Sequence, residues 1–542
     1  MSTINRHGIA MPFKQALVAV FIFVSMQSRA SGIAGGEWVG GSDLFESPAY
    51  MHLDISLGDQ QKGVINIPQW KVVKRPLQTL RINDDSIYFE IPSTTGVPFI
   101  ARGKITNGVI EGAISRGDKK GKFHLISIKK VAPDVLAKYV GCYEIPDPKN
   151  KGSMIPTLIS YSATGYLRFV NLADGSTTAL LPGTNNKFFF AGSIMTSPVP
   201  SNTISFIEDE KGNTHKFTVH IEGLPEQHGT KVFTYQVEAL QASTNDHSLA
   251  ATLLLPAQEK KHPVVIVVPG SGSLNRDEIT PYEEINTFIS NGVGLLIYDK
   301  QGTGQSGGDW QSASFEQLSD DVLAFVEKLK SRKDVDRSKI GVWGISQGAS
   351  IAPIAASRSK DISFMIMQSG GGITPAEAEI NEQVARMQVQ KFSDTLINDA
   401  IAFMKLQFKA VNNRGYWDSL QALIPSVNTQ PWFRYAWGGL PKDHWLWKWW
   451  QPVVDFDPAP VLQKINIPVL VIFGTNDQYV PKDSLDGIIF RITDAFDKAG
   501  NRSVTVAKFE NANHEIFVKT ENGLVLAPGY DETLRRFILK IK

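Results

Sequence analysis

The sequence predicts an α/β chain built on one doubly wound sheet, with a helical Trp-rich cap and two small all-β modules in front. Short apolar runs alternate with helical patterns in the second half, which is typical of parallel strands buried on both faces. Residues 36–235 alternate apolar and polar side chains at period two, which favours antiparallel barrels or sandwiches. A long insertion then interrupts the βα rhythm and predicts the cap.

The first 30 residues are typical of a secretory signal peptide. A basic segment precedes an apolar run over residues 16–26, which is too short for a membrane span of roughly 20 residues. Cleavage is expected after Ala30, with Ala34 as the second choice, and an uncleaved anchor is the competing interpretation. Cys142 is the only cysteine, so no internal disulfide can form. These features favour a secreted or periplasmic bacterial protein with no stable membrane span after cleavage.

The composition is that of an ordinary globular protein, with 42% hydrophobic residues, 20% charged residues and a formal net charge of +1. Such a balance gives no reason to expect nucleic acid as a partner.

The two predicted β modules span residues 36–132 and 133–235. Each opens on an aromatic residue followed by Val-Gly, at Trp38 and at Tyr139, which indicates a duplicated module. An aromatic–Gly opening before a β meander resembles small lipocalin-like barrels. Neither module has a metal cluster or a phosphate-binding loop, so they are structural or docking appendages, or alternatively modules that bind substrate or cell wall.

The α/β domain is predicted over residues 236–542. A helix over residues 314–332 has a candidate capping box in Ser314 and Gln317, and an amphipathic helix over residues 530–541 closes the chain. Loops at the carboxyl ends of such a sheet form the site. The predicted strands are residues 263–268, 294–298, 340–343, 364–367, 468–473 and 504–507.

The insertion covers roughly 85 residues, 372–458, and connections that long are usually functional. Its first half is predicted to be helical, and residues 432–450 in its second half hold six tryptophans. These aromatic side chains either line a substrate pocket or pack the cap against the sheet. The six are Trp432, Trp437, Trp445, Trp447, Trp449 and Trp450.

Residues 344–348, Gly-Ile-Ser-Gln-Gly, fit the nucleophile elbow G-x-S-x-G, in which a serine stands at a strained turn between a strand and a helix. A buried strand precedes Ser346 and a helix of small residues follows it, so Ser346 is the predicted nucleophile. Ser306 also lies in a G-x-S-x-G match, but in a Gly-rich loop that no helical pattern follows directly.

A serine hydroxyl needs a base and an acid, and in elbow folds they follow the serine in the order acid, then histidine. Two histidines follow Ser346. His444 lies in the Trp-rich cap, whereas His514 lies in a loop after the last strand, so His514 is the predicted base.

The predicted acid is Asp477, because it stands at the end of the penultimate strand. Asp483 is the fallback, although Asp483 and Asp486 are better interpreted as charges at a helix N-terminus.

Backbone N–H groups are needed for the oxyanion of the tetrahedral intermediate. One is expected from Gln347, directly after the nucleophile, and the other from the Gly-rich loop 269–277, at Ser271 or, as second choice, Gly272. A phosphate-cradling loop is the competing interpretation, but neither G-x-x-x-x-G-K-[ST] nor G-x-G-x-x-G is present there.

Taken together, these motifs resemble bacterial α/β-hydrolases of the carboxylesterase kind over residues 236–542. They are Pro-Gly-Ser-Gly from 269, Asn-Arg-Asp from 275, Tyr-Asp-Lys-Gln-Gly-Thr-Gly from 298, the elbow, Gly-Thr-Asn-Asp from 474 and Asn-His from 513. The resemblance implies a serine hydrolase that acts on small-molecule carboxylic esters without a cofactor or metal. One departure is Gln301, where that family often has Arg; it bears on a loop-stabilising ion pair and not on the triad.

Two other functions remain open at this point. A serine peptidase of the prolyl-oligopeptidase type shares the architecture but usually carries a β-propeller, for which roughly 200 residues of β are too few. A non-catalytic binding protein is the third possibility, although the intact Ser–Asp–His order argues against it.

Overall fold

The computed structural model describes residues 35–541 except positions 46, 59, 71, 94, 95, 130, 148, 149, 163, 164, 184, 185, 259, 439, 482 and 522. The predicted signal peptide therefore lies outside the described residues. The chain divides between Ser127 and Ile128 into two compact units.

The first unit is one nine-stranded sheet in the order β4-β3-β2-β1-β9-β8-β7-β6-β5. Its strands alternate as the sequence predicts: in β2 the side chains of Met51, Leu53 and Ile55 are buried, while Asp54 is exposed. The buried face forms a separate apolar core. The strands are β1 Gly36–Ser42, β2 Ala49–Leu57, β3 Gln61–Ile67, β4 Val72–Pro76, β5 Thr79–Asn83, β6 Ser86–Ile91, β7 Phe99–Thr106, β8 Val109–Arg116 and β9 Lys119–Ile128.

The second unit begins with a closed eight-stranded antiparallel barrel. Aromatic rings occupy its interior: the ring centroids of Tyr143 and Phe217 are 4.8 Å apart, and those of Phe206 and Phe217 are 6.0 Å apart. Its elements are α1 Pro133–Ala137, β10 Gly141–Pro146, β11 Met154–Tyr161, β12 Leu167–Asn171, β13 Thr177–Pro182, β14 Lys187–Phe190, β15 Thr203–Glu208, β16 Thr214–His220 and β17 Gln227–Phe233.

An eight-stranded sheet follows the barrel, in the order β18-β19-β21-β20-β22-β23-β24-β25. Six of its strands are parallel to one another, as predicted. The first two strands form an antiparallel hairpin at one edge that the sequence analysis did not identify. The strands are β18 Tyr235–Ser243, β19 Ser248–Pro256, β20 His262–Val268, β21 Gly294–Tyr298, β22 Val335–Ile345, β23 Ile362–Gln368, β24 Val469–Gly474 and β25 Val504–Phe509.

Helices cover this sheet, and a helical cap is inserted after β23, so the predicted fold class is confirmed. The predicted capping box is present, because Ser314 Oγ accepts from Gln317 N at 3.2 Å and Gln317 Oε1 accepts from Ser314 N at 2.9 Å. None of the described helices is both long enough and apolar enough to cross a membrane. The helices before the cap are α2 Arg276–Ile279, α3 Tyr282–Ser290, α4 Phe315–Lys330 and α5 Gly348–Arg358. Those in the cap are α6 Pro375–Val389, α7 Asp394–Asn412, α8 Trp417–Val427 and α9 Trp445–Trp450. After the cap come α10 Ala459–Leu462, α11 Leu485–Lys498, the hairpin β26 Phe517–Thr520 and β27 Gly523–Leu526, and α12 Tyr530–Ile541.

The barrel packs against the α/β part within the second unit. Ser162 Oγ in a barrel loop donates to Asp277 Oδ2 at 2.8 Å. A Cβ placed on Gly175, in the turn between β12 and β13, would lie 3.0 Å from Glu283 Oε1. The barrel therefore supports the segment 277–283, which forms one wall of the cavity described next.

Candidate active site

Ser346 lies in a sharp turn between β22 and α5, at the carboxyl edge of the sheet. Its backbone has φ = 55°, the left-handed region that a residue with a Cβ rarely adopts. The turn is held in place because Ser346 N–H donates to the carbonyl of Gln368 in the neighbouring strand at 2.8 Å. The strand, the strained serine and the helix together have the geometry of a nucleophile elbow.

Glycines surround the elbow because the backbones there are nearly in contact. A Cβ on Gly344 would lie 2.2 Å from the carbonyl oxygen of Gly348, and a Cβ on Gly348 would lie 2.2 Å from that of Val268. A Cβ on Gly370 would lie 2.2 Å from the carbonyl oxygen of Ser346. Three glycines thus allow β20, β22 and β23 to bring their ends together around one serine.

Asp477 and His514 are brought together by the loops that follow β24 and β25. His514 Nδ1 lies 2.7 Å from Asp477 Oδ2, and the side chains are 12% and 1% exposed. Asp477 Oδ1 accepts from Tyr479 N at 2.8 Å, and the carbonyl of His514 accepts from Ser369 Oγ at 2.6 Å. The imidazole is therefore oriented by a buried carboxylate, with Nε2 as its remaining nitrogen.

Ser346 and His514 line the same cavity, which has a volume of about 770 Å³. Among the described residues, no hydrogen bond joins the serine hydroxyl to the imidazole, and such contacts are often longer in unliganded sites. The structure thus places Asp477 and His514 in direct contact, and it places Ser346 in the lining of the same cavity as His514.

The two predicted oxyanion donors lie beside Ser346. A Cβ placed on Gly270 would be 3.4 Å from Ser346 Cβ and 3.8 Å from its Oγ, so the loop that carries Ser271 runs next to Ser346. Ser271 and Gln347 line the cavity. Within the described part of the chain, neither backbone N–H has an acceptor, so both are available to a ligand.

The alternative candidates for the nucleophile, the base and the acid lie in other environments. Ser306 Oγ donates to the carbonyl of Asp299 at 2.7 Å and accepts from Ala250 N at 2.9 Å, which is a structural role. His444 caps α9 by accepting from Leu446 N at 3.3 Å. Asp483 is exposed in the turn before α11.

The loop after β21 has an ion pair although Gln301 stands where the resemblance leads us to expect arginine. Arg276 supplies it: its Nε lies 3.1 Å from Asp299 Oδ1, and its backbone N–H donates to the same oxygen at 2.8 Å. Both side chains are almost fully buried, at 6% and 1% exposure. The carboxylate of Asp299 therefore anchors the loop through a residue from α2.

Two of the six tryptophans between positions 432 and 450, Trp449 and Trp450, line the cavity. Trp432, Trp447 and Trp450 are almost fully buried. The centroids of Trp437 and Trp450 are 5.5 Å apart, within an aromatic cluster inside the cap. Both predicted roles, lining the pocket and packing the cap, are therefore present.

The cavity has an acidic lining that the sequence analysis did not identify. Burial raises the pKa of Glu284 to about 8 and that of Glu379 to about 7, with the nearby carboxyl groups of Glu283 and Glu382, respectively, adding to the effect. Among the described residues that line the cavity there is no Lys or Arg, and the six glutamates are Glu278, Glu283, Glu284, Glu379, Glu382 and Glu515.

The architecture defines a class: the C-terminal part of the chain has the α/β-hydrolase fold. Residues 263–519 match the family described as the alpha/beta hydrolase fold. Over 273 residues the chain is 23% identical to the esterase EstD of Thermotoga maritima, covering 49% of this chain and 58% of the esterase. Over 243 residues it is 27% identical to a thiohydrolase of Eupenicillium brefeldianum, covering 42% of this chain and 74% of the relative. An esterase structure from Pyrococcus furiosus aligns with a TM-score of 0.36 at 16% identity, over 56% of this chain and 91% of that one.

Proposed function

We propose that this protein is an exported serine hydrolase that cleaves carboxylic esters through an acyl-enzyme intermediate. The observation that carries the proposal is the pairing of His514 with buried Asp477 at 2.7 Å, in the cavity that the Ser346 elbow lines. A hydroxyl, an imidazole and a buried carboxylate are the three groups that acyl transfer on serine requires.

The acylation step follows from these positions. His514 Nε2 accepts the Ser346 proton while Oγ attacks the ester carbonyl, and the negative charge develops on the carbonyl oxygen. The N–H groups of Ser271 and Gln347 bind that oxygen. The intermediate then collapses, the bond to the alkoxy group breaks, and His514 gives its proton to the departing alcohol.

Deacylation repeats the sequence with water. His514 accepts a proton from the water that attacks the acyl carbonyl, and the second tetrahedral intermediate expels Ser346 Oγ. The serine regains the proton from His514, and the carboxylic acid leaves. No step in this cycle needs a group beyond the side chains and amides named above.

The test is hydrolysis of p-nitrophenyl esters of increasing acyl length by the purified protein, with Ser346→Ala as the control. We expect turnover by the wild type, stoichiometric labelling of Ser346 by a fluorophosphonate, and loss of both in the variant. Turnover of peptide p-nitroanilides in preference to esters would instead indicate a peptidase. A wild type that neither reacts with the fluorophosphonate nor hydrolyses an ester would favour a non-catalytic binding protein.

Export is tested separately by fractionating bacteria that express the full chain. We expect the protein in the periplasm or the medium, with an N-terminus at Ser31 or Gly35, according to whether cleavage follows Ala30 or Ala34. An intact N-terminus in the cytoplasmic fraction would contradict this part of the proposal.

A further inference from the structure

Lys300 is a buried amine directly behind the oxyanion loops. It follows Asp299 in the loop after β21 and is 1% exposed. Its Nζ donates to the carbonyl of Gly270 at 2.8 Å and to Gln347 Oε1 at 2.8 Å. Burying an amine without hydrogen-bond partners is costly, so these two contacts are what allows a lysine at this buried position.

The carbonyl that Lys300 binds belongs to the same peptide group as the Ser271 N–H. A trans peptide is planar, and its C=O and N–H point in opposite directions. A donor that holds the Gly270 carbonyl on the Lys300 side therefore holds the Ser271 N–H facing away from Lys300. A charged donor on the carbonyl also polarises the peptide, which makes the N–H a stronger donor.

The second acceptor belongs to the residue that carries the other oxyanion donor. Gln347 contributes its backbone N–H to the proposed oxyanion hole, while its side-chain oxygen is held by Lys300. The same loop is fixed again at Leu274, whose carbonyl accepts from Lys300 N at 3.2 Å and from Thr303 Oγ1 at 2.8 Å. One amine thus joins the two segments whose N–H groups must converge on a single oxygen.

We propose that Lys300 is a positioning residue of the oxyanion hole, which orients the Gly270–Ser271 peptide and ties it to Gln347. The proposal rests on the serine esterase function above. It assigns Lys300 no contact with the substrate; its effect on the transition state is transmitted through the two backbone N–H groups.

The buried environment of Lys300 lowers its pKa, but the two hydrogen bonds do not depend on its charge. Burial lowers the pKa of Lys300 to about 7, while the carboxyl group of Asp321 acts in the opposite direction. The Trp310 ring centroid lies 6.0 Å from Nζ. A neutral amine still has N–H groups to donate, so the bridge persists on both sides of that pKa.

Lys300→Met tests the proposal, because methionine has a similar length and no donor. We expect kcat for a p-nitrophenyl ester to fall by on the order of tenfold to a hundredfold, since misplacing a catalytic group by about 1 Å has effects of this size. KM should change little. The inhibition constant of a trifluoromethyl ketone, which forms a tetrahedral adduct on serine, should rise by the same factor as kcat/KM falls.

Lys231→Met is the matched control, because Lys231 Nζ also bridges two carbonyls, those of Lys138 at 2.9 Å and Val140 at 3.1 Å, but in the barrel. We expect it to lower the thermal midpoint and to leave kcat per labelled active site unchanged. Fluorophosphonate end-point labelling counts the competent sites in every variant.

Unchanged kcat and unchanged ketone affinity in Lys300→Met would overturn the proposal, as would an equal loss in Lys231→Met. If Lys300→Met does not fold, the same measurements are made on Lys300→Gln, whose shorter side chain still ends in an amide donor. An intermediate loss of kcat in Lys300→Gln would support the proposal, and no loss would overturn it. A wild type that is inactive and unlabelled would refute the esterase function itself. That result differs from a failure of the Lys300 proposal alone, in which the wild type is active.

Discussion

Asp477→Asn is the sharpest test of the proposed triad, because the structure predicts which way the new amide would point. Asp477 Oδ1 accepts from Tyr479 N at 2.8 Å, and an asparagine retains that bond only with its oxygen in the same place. Its NH₂ group then faces His514 Nδ1, which lies 2.7 Å from the present carboxylate oxygen. The imidazole must accept there and carry its proton on Nε2, where it cannot act as a base toward Ser346.

The size of the effect follows from burial. The Asp477 side chain is 1% exposed, so solvent cannot replace the lost charge beside the imidazolium that forms during the reaction. In triads of this kind the same change reduces kcat by about 10⁴, and a loss of 10³ to 10⁴ corresponds to roughly 4 to 5.5 kcal/mol of transition-state stabilisation. We expect a loss in this range with little change in KM.

Initial rates with p-nitrophenyl butyrate, normalised to labelled sites and accompanied by a thermal melt, measure this loss. Asp483→Asn is the control, because Asp483 is exposed near the start of the next helix and should be dispensable. Full activity in Asp477→Asn, or a loss in Asp483→Asn of comparable size, would refute the assignment of the acid.

Three further predictions concern the elbow, the buried acid and the cavity charge. Gly344→Ala places a Cβ 2.2 Å from the Gly348 carbonyl oxygen and should abolish activity or folding. Gly487→Ala, with nothing within 4 Å and a place in helix α11, should keep full activity and an equal or higher thermal midpoint; equal behaviour of the two variants would contradict the contact argument. Burial raises the pKa of Glu284 from 4.5 to about 8, so the native state retains a proton that the unfolded chain releases. Protonated Glu284 therefore makes its full contribution to the stability of the native state below pH 4.5, and this contribution is lost as the pH rises to about 8. Across that window the thermal midpoint of the wild type should fall relative to that of Glu284→Gln. A constant difference between the two midpoints would be inconsistent with this pKa. Because six glutamates and no described Lys or Arg line the cavity, a neutral p-nitrophenyl butyrate should have a higher kcat/KM than an anionic p-nitrophenyl hemisuccinate at pH 8, and the reverse order would count against an acidic pocket.

The sequence predicted those features that depend on short-range patterns. Strands β20 to β25 were located because strands buried on both faces are continuous apolar runs, and helix α4 because its apolar face and cap are both local. The elbow was identifiable because its strain requires glycines at fixed spacing around Ser346. Asp477 and His514 were predicted from their place after particular strands, which topology then brings together.

What the sequence did not predict depends on contacts between distant segments. The hairpin β18–β19 was missed because β19 is buried at almost every position and contains alanines, so it lacks both alternation and strong strand propensity. The acidic lining was missed because its glutamates come from α2, α3, α6 and the loop of His514, and in each segment they are ordinary helix or loop charges.

Gln301 stands where the resemblance to carboxylesterase-like hydrolases leads us to expect an arginine that would stabilise the loop by an ion pair. The loop nevertheless has an ion pair, because Arg276 in α2 places its Nε 3.1 Å from Asp299 Oδ1. Asp299 is thus paired with Arg276, and the amine of Lys300 binds Gly270 and Gln347. A second arginine at position 301 would stand in a site that is 5% exposed, where an unpaired cation is costly. Arg276 therefore holds the loop through Asp299, and the buried amine of Lys300 binds the two neighbouring segments that we propose to carry the oxyanion donors.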